Sequence, residues 1–207
     1  MNRMTKLATA LSITSLLMFA VPALAEVAPD ELVKTTAQEV LDIVKKDKDI
    51  QAGDQKKIFA LAEEKILPNF NFDRVSRMVL GKNWRSATPE QQQAFQREFR
   101  SLMLRTYATA LSKYRNQTID FKPTRVQPGD TEVTVKTLIV QPGGQPIAVD
   151  YSLEKQTDAW KVYDITIEGV SLVTNYRSQF GNEVRQAGID GLIQKLADKN
   201  KQANASK

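Results

Sequence analysis

The chain contains no cysteine and no histidine. Without cysteine there is no disulfide, no thiolate nucleophile and no Cys-ligated metal, so stability must come from packing. Without histidine, His-based triads and the common zinc sites are excluded. The chemistry left is that of carboxylates or a Ser-Lys pair, or none at all. Long apolar runs are scarce as well. The only extended one covers residues 7–21, "LATALSITSLLMFAV", and it falls short of the roughly 20 residues that span a bilayer. It follows "MNRMTK", which has two cations and no anion, and precedes "PALA" and Glu26. This three-part layout predicts a secretory signal over residues 1–25, cut after Ala25. The absence of cysteine at the cut excludes a lipid anchor.

What remains after the cut suits one domain over residues 26–198, with a polar, disordered tail over 199–207, "KNKQANASK". The full chain carries a formal charge of +5, and loss of Arg3 and Lys6 makes the remainder less basic. That is far from a nucleic-acid signature and compatible with weak attraction to anionic surfaces.

The first half of the chain reads as helical. "DELVKTTAQEVLDIVKK" places Val33, Ala37, Val40, Leu41 and Val44 at helical spacing, and "QKKIFALAEEKIL" does the same before Pro68 ends it. "FDRVSRMVLG" is a short helical turn with Val75 and Val79, stopped by Gly81. The best-marked helix is 88–114. Thr88 can cap it, Pro89 suits its first position, and Gln91 completes a capping box. Its apolar positions, among them Phe95, Phe99, Leu102 and Met103, cover nearly half its circumference. A surface helix needs a stripe of only about 100°, so this one is buried on a broad front.

In the second half the period changes from 3.6 to 2. "TEVTVKTLIV" puts Val133, Val135 and Ile139 on one face, and "PIAVDYSLEK" does so with Ile147, Val149, Tyr151 and Leu153. "AWKVYDITIEG" gives Tyr163, Ile165 and Ile167, with Trp160 and Val162 on the opposite side and Asp164 and Glu168 on a charged outer face. "QTIDFKPTRV" is the remaining strand. "QPGD" and "QPGGQP" are turn sequences, so the expectation is a four-stranded antiparallel meander between helical segments, an α+β fold. Gly169 is expected to hold a positive φ where the last strand passes into helix. On pattern alone the apolar faces either fill a solid core or line a cavity.

Three segments carry a resemblance. "VLGKNWRSATPEQQQAFQREF" (79–99), "WKVYDITIEGVSLVTNYRSQF" (160–180) and "GIDGLIQKL" (188–196) resemble, in that order, the marked segments of the MlaC family, also called the toluene-tolerance auxiliary family. The resemblance covers residues 26–200. It implies an NTF2-like cone with helices packed around an apolar pocket. It also implies a periplasmic protein that binds phospholipid by its acyl chains and shuttles it between outer and inner membranes, maintaining outer-membrane lipid asymmetry. The implied partners are an inner-membrane ABC transporter with MCE-domain subunits and an outer-membrane lipoprotein associated with porin. No cofactor, metal, nucleic acid or second copy is implied.

On that resemblance the apolar faces become a lipid-tail pocket. The helices supply Val75, Val79, Phe95, Phe99, Leu102, Met103 and Val173. The strands supply Val135, Ile139, Ile147, Val149, Tyr151, Leu153, Tyr163, Ile165 and Ile167. Arg177 falls inside the apolar stripe of the helix that starts near Val170. Either its stem lies on apolar surface with its head in water, or it holds a phosphate or a partner carboxylate. Lys82 and Arg85 flank Trp84 and are either a solvated loop or a headgroup or docking contact. Two rival classes stay open beside a carrier: an enzyme with a carboxylate base in an apolar pocket, and a chaperone-like periplasmic module. The enzyme needs an inward Asp or Glu, and the alternation turns Asp150 outward from Val149 and Tyr151.

Overall fold

The structure, a computed structural model, describes residues 27–205 apart from Arg115 and Asp158. The expected signal segment lies outside those residues. Among the described residues, seven helices and five strands run in the order α1 (Pro29–Lys46), α2 (Lys48–Ala52), α3 (Gln55–Leu61), α4 (Phe72–Leu80), α5 (Asn83–Ser86), α6 (Pro89–Tyr107), β1 (Thr118–Phe121), β2 (Glu132–Val140), β3 (Ile147–Lys155), β4 (Trp160–Ile167), β5 (Val170–Ser171) and α7 (Leu172–Ala205). A π turn (Ala62–Ile66) and a 3-10 turn (Leu67–Asn69) extend α3, and a 3-10 segment (Ala108–Lys113) extends α6.

The helix starts follow their local chemistry. The Thr88 hydroxyl accepts from the Gln91 N–H, the Gln91 side chain accepts from the Thr88 N–H, and Pro89 opens α6. That capping box satisfies backbone donors that α6 otherwise leaves open. At α2, α3 and α4 the side chains of Asp47, Asp54 and Asn71 accept from first-turn N–H groups, without the reciprocal bond.

The sheet is an antiparallel meander in the order β1-β2-β3-β4-β5, with five strands where four were expected. Glu168 (φ 49°) and Gly169 (φ 79°) both take left-handed backbone between paired Ile167 and Val170. Two consecutive positive φ values make the tight hairpin turn that suits twisted strands. The chain therefore turns back for two residues before α7 begins, instead of passing directly into helix.

The expected tail is also different. The helix continues to Ala205, with one break at Gly188 (φ 73°, ψ −179°). Asn200 is 5% exposed, and its Nδ2 donates to the main-chain and side-chain oxygens of Glu98, both at 3.0 Å. This polar anchor holds the end of α7 on α6.

The interior is divided into three apolar clusters. The first joins α4, α6 and α7 through Val79, Phe95, Phe99, Tyr176, Phe180 and Leu192. Its rings contact one another with centroids 5.2–5.8 Å apart, within the range of favourable aromatic pairs. The second joins α1, α2, α3 and the 3-10 segment through Val40, Val44, Ile50, Ile58 and Ala108. The third closes one end of the sheet, where Val135, Leu153, Trp160 and Val162 pack on Val33 of α1.

Candidate functional site

The three clusters do not merge, and a cavity of about 500 Å³ lies among them. Its wall takes residues from each: Phe99 and Val173 from the first, Val40 and Ala108 from the second, Val33 and Val162 from the third. Close-packed interiors rarely leave voids much larger than a water molecule. A space of this size exceeds an ordinary packing defect and is large enough to hold a ligand.

Burial along the sheet shows where the cavity begins. Val135 and Leu153 share the inner face of β2 and β3 and are 0% exposed. Further along, Ile139 and Ile147 pair with each other yet are only half-buried, as are Ile165 and Ile167 on β4. All four belong to the cavity wall. Their remaining exposure comes from facing this open space.

A bulge in β4 gives the wall its second half. Tyr151 pairs with Ile165 and Ser152 with Asp164, but Leu153 pairs with Val162. Tyr163 is thus the extra residue. An added residue switches the side on which later side chains emerge. Ile165, Ile167, Val162 and Trp160 consequently all serve the inner side, although strict alternation separates them. This corrects the expectation for Trp160 and Val162. Trp160 is 4% exposed in the cluster that closes the sheet, and Val162 lines the cavity.

The residues read from the sequence as a pocket divide in two. Val75, Val79, Phe99, Met103 and Val173 from the helices, and Ile139, Ile147, Val149, Tyr151, Tyr163, Ile165 and Ile167 from the strands, meet at the cavity. Phe95 and Leu102 instead sit in the helical cluster, and Val135 and Leu153 in the cluster at the sheet end. The sequence reading omitted the contribution of α1, which brings Leu32, Val33, Val40 and Leu41 to the wall. Its periodicity was legible, but it did not distinguish a cavity wall from a core. Ile119 of β1 and Leu111 of the 3-10 segment were missed as well.

The polar groups of the wall are mostly occupied. Asp164 reaches it rather than standing on a charged outer face. Its Oδ1 accepts from the N–H groups of Ile165 (2.8 Å) and Val173 (3.1 Å), and its Oδ2 from the Ser171 hydroxyl (2.5 Å). Three donors on one carboxylate make it a brace for the start of α7. Glu168 is likewise spent in the hairpin turn, where its carboxylate accepts from the Ala148 N–H. Burial, reinforced by a hydrogen bond with Tyr176, pushes the Tyr107 phenol far above its ordinary range. Burial also raises Tyr151, so both stay neutral.

The three cations singled out in the sequence are exposed and stand outside the wall. Arg177 is bonded locally: its Nε donates to the Met78 carbonyl at 2.6 Å. Lys82 and Arg85 flank the buried Trp84. Among the described residues, the cation in the wall is Lys113, accompanied by Tyr114, Gln117 and Gln141.

Comparison with known proteins adds the following. A family model described as "MlaC protein" matches residues 34–198. The chain is 28% identical over 163 residues to the toluene tolerance protein ttg2D of Pseudomonas putida, covering 78% of this chain and 75% of that one. It is 27% identical over 177 residues to the intermembrane phospholipid transport system binding protein MlaC of Haemophilus influenzae, covering 84% and 83%. A solved structure of the phospholipid-binding protein from Ralstonia solanacearum, in complex with a phospholipid, is 41% identical. It superposes with a TM-score of 0.79, covering 86% of this chain and 98% of that one.

Proposed function

The chain belongs to the MlaC family, and from that premise we propose that it is a periplasmic phospholipid carrier that moves lipid between outer and inner membranes. The observation that carries the reading is the apolar cavity of about 500 Å³ between three separate cores. A relative of the same fold and 41% identity was solved with a phospholipid, which supports the same ligand class here. In this reading the acyl chains lie along Val75, Val79, Met103, Ile139, Ile147 and Ile165. The antiparallel meander with helices packed on its inner face supports an NTF2-like assignment. The composition of residues 1–25 supports export, and no helix among the described residues is long and apolar enough to cross a membrane.

Magnitude shapes the mechanism. Two acyl chains bury roughly 30 methylenes, each worth about 0.8 kcal/mol of transfer. The gross sum exceeds the ceiling on net non-covalent affinity. Even after the costs of binding, a lipid so held does not escape into water on a useful timescale. Hand-over therefore takes place inside a docked complex. We assign the donor and acceptor roles to a porin-associated outer-membrane lipoprotein and an inner-membrane ABC transporter with MCE-domain subunits, which together maintain outer-membrane lipid asymmetry. Exposed Lys82, Arg85 and Arg177 are then available for docking. The protein acts by binding and release, without catalysis.

Organic extraction and mass spectrometry of the purified mature protein test the reading. Phospholipid in near-stoichiometric amount, with none added, is the expected result. Protein purified from a membrane-containing bacterial lysate that yields no phospholipid would refute it.

A further inference from the structure

A phospholipid has a charged end as well as chains, and the cavity wall is not uniform along its length. One end is sealed by Val135, Leu153 and Trp160, each at most 4% exposed. The other end is where β1 begins and β2 finishes. Thr118 pairs with Val140, and continuing that register places Gln117 across from Gln141. Both belong to the wall, as do Lys113 and Tyr114 a few residues before Gln117. Lys113 is exposed although it belongs to the wall, which puts it at the solvent-facing edge of the cavity. A second cation arrives from a different element. Lys45, in the last turn of α1, holds its Nζ 5.7 Å from the centroid of the Tyr114 ring. Among the described residues neither ammonium has a carboxylate partner. The wall's own carboxylate, Asp164, is committed to three donors elsewhere.

One lysine of α1 over the Tyr114 ring, and a second beside Tyr114 in the chain and in the cavity wall, stand at the polar end of an apolar cavity and fit an oxyanion whose apolar remainder lies inside. We propose that Lys113 and Lys45 form a phosphate-binding mouth that holds the headgroup phosphate of the lipid whose chains fill the cavity. The inference rests on the carrier reading and adds to it an orientation and a selectivity. Chains enter toward the sealed sheet end, the phosphate stops at Tyr114, and lipids lacking a phosphate bind less well. Lysine suits this task because it acts on phosphate as a compact point charge and demands no fixed geometry from the varied groups beyond it. Exposure limits its strength, because each solvent-screened charge contact is weak, and salt weakens it further.

The test loads lipid-free mature protein from vesicles containing equal amounts of phosphatidylglycerol and diacylglycerol with identical chains. Bound lipid is then extracted and quantified. Two exposed charge contacts together give roughly a tenfold preference for phosphatidylglycerol at low salt. The double variant Lys45→Glu/Lys113→Glu should lose that preference while loading diacylglycerol as before, and Lys45→Arg/Lys113→Arg should keep it. Both positions are exposed, so an unchanged melting temperature is expected. Equal uptake of the two lipids by wild type, or an undiminished preference in the glutamate variant, overturns the mouth and leaves the carrier reading intact. Uptake of neither lipid overturns both. In a parallel titration, inorganic phosphate should not bind the lipid-free protein at millimolar concentration. Lysine-dependent binding of phosphate alone would make this a free-anion site and overturn its assignment to the lipid.

Discussion

Arg177 Nε lies 2.6 Å from the carbonyl oxygen of Met78 and donates to it, tying the second turn of α7 to the end of α4. The last carbonyls of a helix lack intrahelical donors, and a cation there also meets the negative end of the helix dipole. The same guanidinium lies against Gly81, where a Cβ would come within 3.5 Å of its Nε. Arg177→Ala should therefore lower stability by about 1 kcal/mol, and Arg177→Glu by somewhat more because it places an anion at that carbonyl end. Chemical denaturation measures both. The phospholipid content of either variant should match wild type, since the side chain stands outside the cavity wall.

A second tie joins α4 to the sheet. Arg74 lies over the Tyr163 ring, 3.6 Å from its centroid, and its guanidinium bonds Glu132 (2.6 Å) and Glu154. The hydrogen bond from Arg74 holds the Glu132 carboxyl below its ordinary value of 4.5. A carboxylate with a lowered folded-state pKa adds stability above the unfolded value and loses it as pH falls through the folded value. Glu132 is half exposed, so its contribution is less than about 1 kcal/mol. Wild type should exceed Glu132→Gln by that margin at pH 7. The gap should narrow below about pH 4.5 and close once Glu132 is protonated in both states. Denaturant titrations of the two proteins across that range would measure it, and a gap independent of pH would contradict the assignment.

Much of this architecture was legible because its signals are local. Thr88, Pro89 and Gln91 announce the start of α6 within four residues, and the strand faces of β2 and β3 follow simple alternation. The bulge at Tyr163 was not legible, because it depends on where β4 must meet Leu153, a contact that β4 does not encode alone. The short β5 escaped for a related reason. Glu168 takes a left-handed backbone conformation that is uncommon outside glycine, and Gly169 alone reads equally well as a helix boundary. Periodicity marked which residues of α1, β2 and β3 are apolar, but it cannot separate Val135, packed solid, from Ile139, facing the cavity. Lys113 was invisible as a wall residue because its place depends on the 3-10 segment that carries the chain from α6 to β1.

The break in α7 yields a prediction about backbone fit. Gly191 sits one turn beyond Ala187, across the break at Gly188, and a Cβ built on it would lie 2.4 Å from the Ala187 Cβ. Neither atom can rotate away. Gly191→Ala should cost about 1–3 kcal/mol as an overpacked contact, although alanine is the better helix former. Adding Ala187→Gly should recover most of that loss. Thermal melts of the two single variants and the double would test it, and additive effects would show that the close approach is not the cause.

The most direct test of the cavity compares two residues on the inner face of the same sheet. Val149 of β3 lines the cavity and is 6% exposed, whereas Val135 of β2 is 0% exposed in the sealed end of the sheet. Their chemistry is identical and their strands are paired, so local propensity does not distinguish them. Tryptophan at Val135 must displace Leu153 and Trp160 and should cost about 1–3 kcal/mol or more. In a protein of this size that is a fall in melting temperature of roughly 2–4 °C for each kcal/mol. Tryptophan at Val149 has open space in front of it once the chains are absent. Val149→Trp should therefore melt near wild type while losing most of its phospholipid. Val135→Trp should be destabilised, and its folded fraction should keep its lipid. Melting and lipid extraction on the same preparations read both quantities. If Val149→Trp proves as destabilising as Val135→Trp and retains a full lipid load, the acyl chains do not lie against this part of the sheet.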